Sequence, residues 1–354
     1  MEVVFRVDSS VQIGSGHLMR CLTLADRLKK EYNANIAFVM RELNGNLINL
    51  VIQKKFQIFR LPQVTSDNKL TGYAKWLTVT QEQDAADTIA CIKNIEKVDL
   101  LVVDSYAIDV TWETLLRSYV KKIMVIDDLA DRNHDCDILL DQNLYFDNVA
   151  RYHGLVPKAC KLLLGPQHAI LREEFYEARK NMRLRSGKIN NILVFFGGSD
   201  PTNETMKALQ AISGLNRKDI VVNVIVGQSN PNKKEIEAFC NLHDNMKFFC
   251  QINNIAEFMN AADLAIGAGG SVTWERCFLG LPAIVIAIAE NQIELSENCA
   301  HKGIVVFLGD KQVVTTTVLR ETIKAIEGLI LLKIAQNCLI EGAYYGRKNI
   351  FTNS

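Results

Sequence analysis

The sequence predicts an α/β protein built from two doubly wound domains, each with a parallel sheet. Short apolar runs alternate with helical stretches along the whole chain. These runs are continuously apolar, which is typical of strands buried on both faces of a parallel sheet. The same layout begins again near residue 192, and 354 residues are enough for two domains with separate cores.

The predicted strands are recognised as apolar runs between turn residues. In the first half they are Val3–Val7, Ile36–Met40, Ile58–Leu61, Leu100–Asp104, Ile123–Asp127, Ile138–Asp141 and Leu162–Leu164. In the second half they are Ile192–Phe196, Val221–Val226, Met246–Cys250, Leu264–Ile266, Ala283–Ile288 and Val305–Leu308. The clearest helix is expected over Leu18–Lys30, where apolar residues recur on one face.

This pattern predicts an N-terminal domain over residues 1–178 and a C-terminal domain over residues 190–330. The basic stretch 179–190 has few apolar residues and predicts a linker. The segment 331–354 is expected to be helical and could cross back to the first domain. Ligands of doubly wound sheets lie beyond the carboxyl ends of the strands, so we expect the two domains to face a central functional cleft.

The composition excludes several classes of protein. Lys and Arg together number 40, as do Asp and Glu, and this balance argues against a nucleic-acid-binding protein. No apolar run approaches the ~20 residues of a membrane span, and no signal-peptide pattern is visible. The nine cysteines are scattered without a C-x-x-C pair, which predicts neither a zinc site nor a disulfide framework. We therefore expect a cytoplasmic protein. A monomer without a metal or other cofactor is a separate expectation.

The turn after the first strand is the strongest candidate for chemistry. Gly14 and Gly16 lie just before the predicted helix and allow a ligand to approach the backbone. The positive end of the helix favours an anion such as phosphate and disfavours an imidazolium, so we expect His17 to be neutral and able to accept a proton. Asp8 could orient His17 or bind a sugar, although an aspartate at a strand end often forms a turn.

Four segments of the second half together suggest a nucleotide site. Gly198 and Ser199 offer donors to phosphates at a helix start. Gly270 and Ser271 form a second turn, and Glu275 follows one helical turn later, where a carboxylate could accept hydrogen bonds from ribose hydroxyls. The remaining candidates are Ile252, whose backbone could hold a base, and the amide side chains of Asn291 and Gln292. Singly, each of these patterns also occurs as an ordinary helix start.

These motifs carry a resemblance to known families. The series Gly-Gly-Ser, Ile-Asn-Asn, Gly-Gly-Ser-Val-Thr-Trp-Glu and Glu-Asn-Gln resembles the UDP-binding half of MurG-type proteins with the GT-B fold, which pairs two Rossmann-like domains. The N-terminal motif from Arg6 to His17 resembles the UDP-sugar hydrolases of pseudaminic acid biosynthesis. Segments around residues 103–106, 126–128, 134–140 and 169–175 are also similar to those hydrolases.

The resemblance implies hydrolysis of a UDP-linked 2,4-diacetamido-2,4,6-trideoxy sugar to UDP and the free sugar, which is used for surface glycans. It implies that His17 is the base that activates water against C1, and that Tyr106 lies near the sugar. We assign Gly14, Gly16 and Asn143 to the sugar side. Tyr106 could instead only cap the sheet edge, and the adjacent Asp127 and Asp128 could bind a metal but more often cap turns.

Two other functions stay open. One is a UDP-sugar glycosyltransferase of the same fold, which would be expected to carry an apolar, basic membrane-docking patch around the first domain; no such cluster lies near Gly14. The other is a non-catalytic protein that binds nucleotide sugars. The His17 turn argues against this second alternative.

Overall fold

The computed structural model describes residues 1–64 and 70–345, which form two compact units. Unit 1 comprises Met1–Gln142 and Asp147–Ile170. Unit 2 comprises Asn143–Phe146 and the described residues from Leu171 onward. The change of unit at Leu171 precedes the domain end that we expected at residue 178.

The described part of unit 1 contains a seven-stranded sheet in the order β3-β2-β1-β4-β5-β6-β7, with every neighbouring pair parallel. The strands are β1 (Glu2–Val7), β2 (Asn35–Arg41), β3 (Gln57–Leu61), β4 (Leu100–Asp104), β5 (Ile123–Ile126), β6 (Ile138–Asp141) and β7 (Lys161–Leu164). The α-helices are α1 (Gly16–Tyr32), α2 (Ile48–Gln53), α3 (Gln81–Ile92), α4 (Val110–Leu116) and α5 (Asn148–Arg151). Short 3₁₀ helices are Gly72–Trp76, Arg117–Tyr119 and Pro166–His168.

The described part of unit 2 contains a six-stranded parallel sheet in the order β10-β9-β8-β11-β12-β13. The strands are β8 (Asn191–Phe195), β9 (Val221–Val226), β10 (Met246–Cys250), β11 (Leu264–Gly267), β12 (Ala283–Ala287) and β13 (Val306–Asp310). The α-helices are α6 (Glu173–Lys180), α7 (Glu204–Ser213), α8 (Lys233–Asn241), α9 (Ile255–Ala261), α10 (Val272–Phe278), α11 (Ile293–His301), α12 (Thr316–Ile326) and α13 (Leu329–Gly342). Glu290–Gln292 forms a 3₁₀ turn.

The predicted fold class is confirmed. Every predicted strand is present in the described chain, and its ends differ from the prediction by at most two residues. Central strands such as β1 and β4 are buried along nearly their whole length because helices cover both faces of the sheet. Helix α1 buries one face through Leu18, Leu22 and Leu28, as its apolar spacing predicts.

The basic stretch 179–190 does not form a linker; the structure corrects this expectation. Arg185 is buried in unit 2, and its guanidinium donates hydrogen bonds to the backbone carbonyls of Met259, Ala262, Leu279 and Gly280. Burial lowers the pKa of Arg185 to about 10. The stretch therefore joins loops of unit 2 to one another, a role that a basic composition does not reveal.

The C-terminal helix stays with unit 2 as far as the structure describes it. Helix α13 packs against α10, and a Cβ at Gly342 would come within 2.4 Å of the Cys277 carbonyl oxygen. Residues 346–354, which belong to the segment expected to cross back, lie outside the described residues. No helix among the described residues is long and apolar enough to span a membrane.

Candidate active site

A cluster of polar and aromatic side chains lies at the carboxyl end of the sheet in unit 1. The strand order places β1 and β4 side by side, and the chain leaves them toward opposite edges of the sheet. His17 follows β1, Asp104 ends β4, and Asp128 follows β5. This is the switch point at which doubly wound sheets bind their ligands.

His17 is held by Asp104. The distance from His17 Nδ1 to Asp104 Oδ1 is 2.6 Å, and Asp104 is buried. A carboxylate only accepts hydrogen bonds, so Nδ1 carries the proton that it donates, and in the neutral ring the lone pair is on Nε2. The pair therefore fixes the tautomer in which Nε2 can take a proton from water.

Arg20 keeps Asp104 ionised. Its Nε lies 2.6 Å from Asp104 Oδ2 and its Nη2 lies 2.7 Å from Asp104 Oδ1, a bidentate pair. Burial alone would raise the pKa of Asp104, but the charges of Arg20 and His17 and the hydrogen bonds that both donate outweigh it and lower that pKa below its usual range. The ionised carboxylate of Asp104 can therefore stabilise the imidazolium that forms when His17 accepts a proton.

Aromatic rings surround His17. The ring centroid of Tyr106 lies 4.7 Å from that of His17, and the ring of Trp76 lies 5.8 Å away. The Tyr106 hydroxyl donates to Asp128 Oδ1 at 2.5 Å. Burial and the nearby charge of Asp128 raise the pKa of Tyr106 well above its usual value, so the phenol keeps its proton. The structure thus brings both Tyr106 and Trp76 into edge contact with the His17 ring.

Asp8 is engaged elsewhere, which corrects the expectation that it could orient His17. Its Oδ1 accepts a hydrogen bond from the backbone N–H of Arg41 at 2.7 Å, and its Oδ2 pairs with Arg6 Nη1 at 2.7 Å. Arg6 and Arg41 both also bind the buried carboxylate of Asp84. Asp8 therefore ties the end of β1 to β2 and supports the start of the glycine turn.

The adjacent carboxylates of Asp127 and Asp128 are taken up by protein donors. Asp127 pairs with Arg132 at 2.8 Å and accepts from the backbone N–H of Ala130 at 3.0 Å. Asp128 accepts from Tyr106 and lies 3.4 Å from Arg20 Nη1. Among the described residues, no group of three or more His, Cys, Asp or Glu side chains is arranged to hold a metal ion. The contact of Asp127 with the Ala130 N–H is that of a turn-capping carboxylate, one of the two alternatives that the sequence left open.

In unit 2 the expected nucleotide segments all follow strands at the carboxyl edge of one sheet. In sheet order, Ile252 follows β10, the Gly198–Ser199 turn follows β8, the Gly270–Ser271 turn follows β11, and Asn291 and Gln292 follow β12. The loop after β9 packs directly on the Gly198 turn: the Ser229 hydroxyl donates to the Gly198 carbonyl at 3.1 Å, and a Cβ at Gly227 would come within 2.2 Å of that oxygen. One edge of the sheet therefore presents these segments in a row.

The start of α7 is not free to bind phosphate, which corrects part of the expected role of this turn. The buried carboxylate of Asp200 accepts hydrogen bonds from the backbone N–H groups of Glu204 at 3.0 Å and Thr205 at 2.9 Å. These are the amides that a bound anion would need at this helix. Any phosphate contact here would come from the turn at Gly198 and Ser199 itself.

Glu275 is paired with Arg172. Arg172 Nε and Nη2 both reach Glu275 Oε1, at 3.0 and 2.9 Å. Arg172 Nη1 also lies 2.7 Å from Glu174 Oε1, whose other oxygen accepts from the Ala256 N–H at 3.1 Å. Because both donors meet the same oxygen, Glu275 retains Oε2 as an acceptor for a ligand.

The other candidates have mixed roles. The side-chain oxygen of Gln292 accepts from the Ile288 N–H at 3.1 Å, so its amide nitrogen is the group left for a ligand. Asn143, which we assigned to the sugar side, belongs to unit 2, where the Trp274 indole N–H donates to its side-chain oxygen at 3.4 Å. It is buried and supports α10, since that helix carries Trp274.

Asp104 and Arg20 are the site residues that sequence reasoning missed. Both were visible: Asp104 ends a strand, and Arg20 lies three residues after His17 on α1. Only the order of the strands shows that β4 is the neighbour of β1, and therefore that Asp104 can meet the His17 side chain.

The comparisons with known proteins agree on one family. Residues 192–328 match the glycosyltransferase family 28 C-terminal domain. The chain is 33% identical over 304 residues to the UDP-2,4-diacetamido-2,4,6-trideoxy-beta-L-altropyranose hydrolase of Campylobacter jejuni, covering 86% of this chain and 97% of that protein. It is 24% identical over 311 residues to the spore coat polysaccharide biosynthesis protein SpsG of Bacillus subtilis, covering 87% and 84%.

Solved structures show the same fold. MurG of Acinetobacter baumannii is similar with a TM-score of 0.63 at 14% identity, covering 96% of this chain and 94% of that one. At this identity the likeness shows a GT-B fold and nothing about activity. The identity to the Campylobacter jejuni protein extends over nearly all of that protein. The chain therefore belongs to the family of the UDP-2,4-diacetamido-2,4,6-trideoxy-beta-L-altropyranose hydrolase, with a glycosyltransferase family 28 C-terminal domain.

Proposed function

We propose that this chain hydrolyses UDP-2,4-diacetamido-2,4,6-trideoxy-β-L-altropyranose to UDP and the free sugar, as a step of pseudaminic acid biosynthesis. Family membership supports the substrate class. The observation that carries the chemistry is the hydrogen bond from His17 Nδ1 to Asp104 at the glycine turn, because it leaves Nε2 as a base.

The reaction is a single displacement at the anomeric carbon. The water oxygen forms a bond to C1 while its proton passes to His17 Nε2, and the C1–O bond breaks with its electron pair going to the β-phosphate oxygen of UDP. UDP is already a good leaving group, so no covalent intermediate is required. Inversion of configuration at C1 follows from one displacement.

The two units have separate roles in this proposal. Unit 2 binds UDP through the turns at Gly198 and Gly270, with Glu275 Oε2 accepting from ribose. Unit 1 supplies the base, and Asp104 with Arg20 stabilises the protonated histidine. Tyr106 acts as a neutral neighbour of the sugar, because its raised pKa keeps the phenol protonated.

The test is incubation of the full chain with this UDP-sugar, with UDP and free sugar measured by chromatography and proton NMR. We expect equal amounts of both products. Parallel reactions with UDP-N-acetylglucosamine and UDP-glucose measure selectivity, and no UDP release from any of the three would refute the proposal.

A UDP-sugar glycosyltransferase is the second candidate, favoured by the family 28 match over residues 192–328. A transferase would need an acceptor in place of water. Turnover that occurs in buffer alone supports the hydrolase, whereas turnover that appears only when an acceptor is added supports the transferase.

A further inference from the structure

Arg276 of α10 is a buried cation without a carboxylate partner. The residue is 2% exposed. Its Nη2 donates to the Ala268 carbonyl at 3.0 Å and to the Thr273 hydroxyl at 3.1 Å, while its Nε is buried without a hydrogen-bond partner among the described residues. No carboxylate in the part of the chain that the structure describes forms an ion pair with it. Burial lowers the pKa of Arg276, and the charge of Glu275 does not offset this effect.

Other buried arginines have their charge or their donors satisfied. Arg6 and Arg20 of unit 1 each pair with an aspartate, whose charge outweighs burial and raises the pKa of the guanidinium. Arg185 of unit 2 donates from all three of its nitrogens to backbone carbonyls. An uncompensated buried charge is unfavourable. That the chain keeps one at Arg276 favours a bound anion as the missing counter-ion.

The guanidinium of Arg276 lies against the backbone that leads into the glycine turn after β11. Ala268, whose carbonyl accepts from Nη2, is followed directly by Gly269, and a Cβ at Gly267 would come within 3.3 Å of Nη1. The turn is open at Gly270, where φ is +99° and a Cβ would meet no atom within 4 Å. The buried charge is therefore bonded to the backbone immediately before the open part of the turn.

A charge in the interior of a protein acts on a ligand without touching it. Its Coulomb energy extends over several ångströms in a medium of low dielectric constant, and salt screens it little there. An anion at the open turn is therefore attracted by Arg276 although the side chain is buried. The neutral parts of a nucleotide, its base and its ribose, gain nothing from this attraction. Affinity at the turn should thus increase with the negative charge of the ligand.

We propose that Arg276 is a positioning residue for the diphosphate of the nucleotide sugar, and that its charge makes affinity at the Gly270 turn depend on the number of phosphate groups. The inference rests on the proposed function, which it deepens. When the C1–O bond breaks, its electron pair goes to the β-phosphate oxygen of UDP, so the negative charge of the diphosphate increases. The field of Arg276 therefore stabilises the departing UDP more than the intact substrate.

Calorimetry with UDP, UMP and uridine tests this charge dependence, with ligand-observed NMR for weak binding. Arg276→Gln keeps an amide donor but removes the charge, so we expect the dissociation constant of UDP to rise about ten-fold or more, that of UMP to rise less, and that of uridine to stay unchanged. The ratio of the UMP constant to the UDP constant therefore falls. Arg276→Lys keeps the charge and should keep the wild-type ratio. A merely structural defect would weaken all three ligands alike.

The matched control is Arg185→Gln, which removes a buried cation at the opposite edge of the same sheet. The carbonyls of Ala262, Leu279 and Gly280 that Arg185 binds precede β11 and β12, whereas the Gly270 turn follows β11. We expect this control to have a lower melting temperature and an unchanged UMP-to-UDP ratio.

Two results would overturn the role of Arg276. One is a wild-type UMP-to-UDP ratio in Arg276→Gln, and the other is a ratio reduced in Arg276→Lys. If Arg276→Gln does not fold, the ratio of Arg276→Lys decides alone. These measurements need no turnover, so they are independent of the proposed function. If the wild-type chain hydrolyses nothing but the ratio depends on the charge at residue 276, the proposed function fails and this inference stands.

Discussion

His17 is bonded through Nδ1 to a buried carboxylate, and that contact decides which of its nitrogens can act as a base. Replacing His17 with asparagine removes proton acceptance, while the unit 2 turns that we propose bind UDP stay unchanged. We expect His17→Asn to lower kcat on the order of 10²-fold or more, with nearly unchanged UDP affinity. The exposed His153→Asn serves as control and should retain wild-type kcat. If the His17→Asn protein has a wild-type kcat, His17 is not the base.

Asp104 acts through His17. In Asp104→Asn the amide can donate to Nδ1, which favours the tautomer that has its proton on Nε2, so we expect kcat to fall on the order of 10²-fold. The change also removes the bidentate partner of Arg20 and leaves it only the 3.4 Å contact with Asp128, and breaking such a pair costs up to roughly 3–5 kcal/mol of unfolding free energy. Steady-state kinetics and urea unfolding measure the two effects. Loss of stability with full kcat would make Asp104 only structural.

The same residue predicts a pH dependence. The pKa of Asp104 is lowered from an ordinary value of 3.8, so its stabilising contribution is fully present above that value and is lost as pH falls toward the lowered pKa. We therefore expect wild-type unfolding free energy to decline below about pH 4 more steeply than that of Asp104→Asn. Parallel declines of the two proteins would show that other groups control acid unfolding.

Glu275 pairs with Arg172 through Oε1, and we propose that its Oε2 accepts from ribose. Loss of a hydrogen bond to a charged group should weaken UDP binding by roughly 1.5–3 kcal/mol in Glu275→Ala. Glu275→Gln keeps an acceptor and should lose less. Calorimetry with UDP distinguishes the roles, because an unchanged dissociation constant together with a lower melting temperature would assign Glu275 to the ion pair with Arg172 alone.

At the scale of elements, the turn between β1 and α1 keeps its backbone open. A Cβ at Gly16 would meet no atom within 4 Å, and its φ is not left-handed, whereas Gly14 has a φ of +78°. Gly16→Ala should therefore stabilise the first turn of α1 by roughly 0.5–1 kcal/mol, yet lower kcat/KM by filling space that substrate needs. Gly14→Ala should lose stability. Unimpaired kinetics of Gly16→Ala would show that substrate does not approach this turn.

At the scale of the whole molecule, base and nucleotide segments belong to different units. Asp200 accepts from the amides that start α7, Glu275 pairs with Arg172 through one oxygen, and in the proposed mechanism the group that activates water is His17 of unit 1. Hydrolysis in ¹⁸O-labelled water should therefore place the label in the free sugar. Mass spectrometry that finds ¹⁸O in UDP would establish attack at phosphorus and contradict the mechanism.

The fold could be predicted from the sequence because its signals are local. Continuous apolar runs show strands buried on both faces, and the helical spacing of Leu18, Leu22 and Leu28 shows the face of α1 that packs on the sheet. The glycine turns after β1, β8 and β11 could be recognised for the same reason, because each lies in a short segment between a strand and a helix.

The partners of the site residues were decided only by the tertiary structure. Asp104 lies 87 residues from His17, and Glu275 lies 103 residues from Arg172, so no local pattern relates them. Asp8, much nearer in sequence, is drawn instead to Arg6 and Arg41 by the pairing of β1 with β2. The sequence by itself determined where strands, helices and glycine turns form, because these depend on neighbouring residues. The order of strands in the sheet decided which charged side chains meet, because a buried carboxylate must pair with the cation or donor that the fold brings to it.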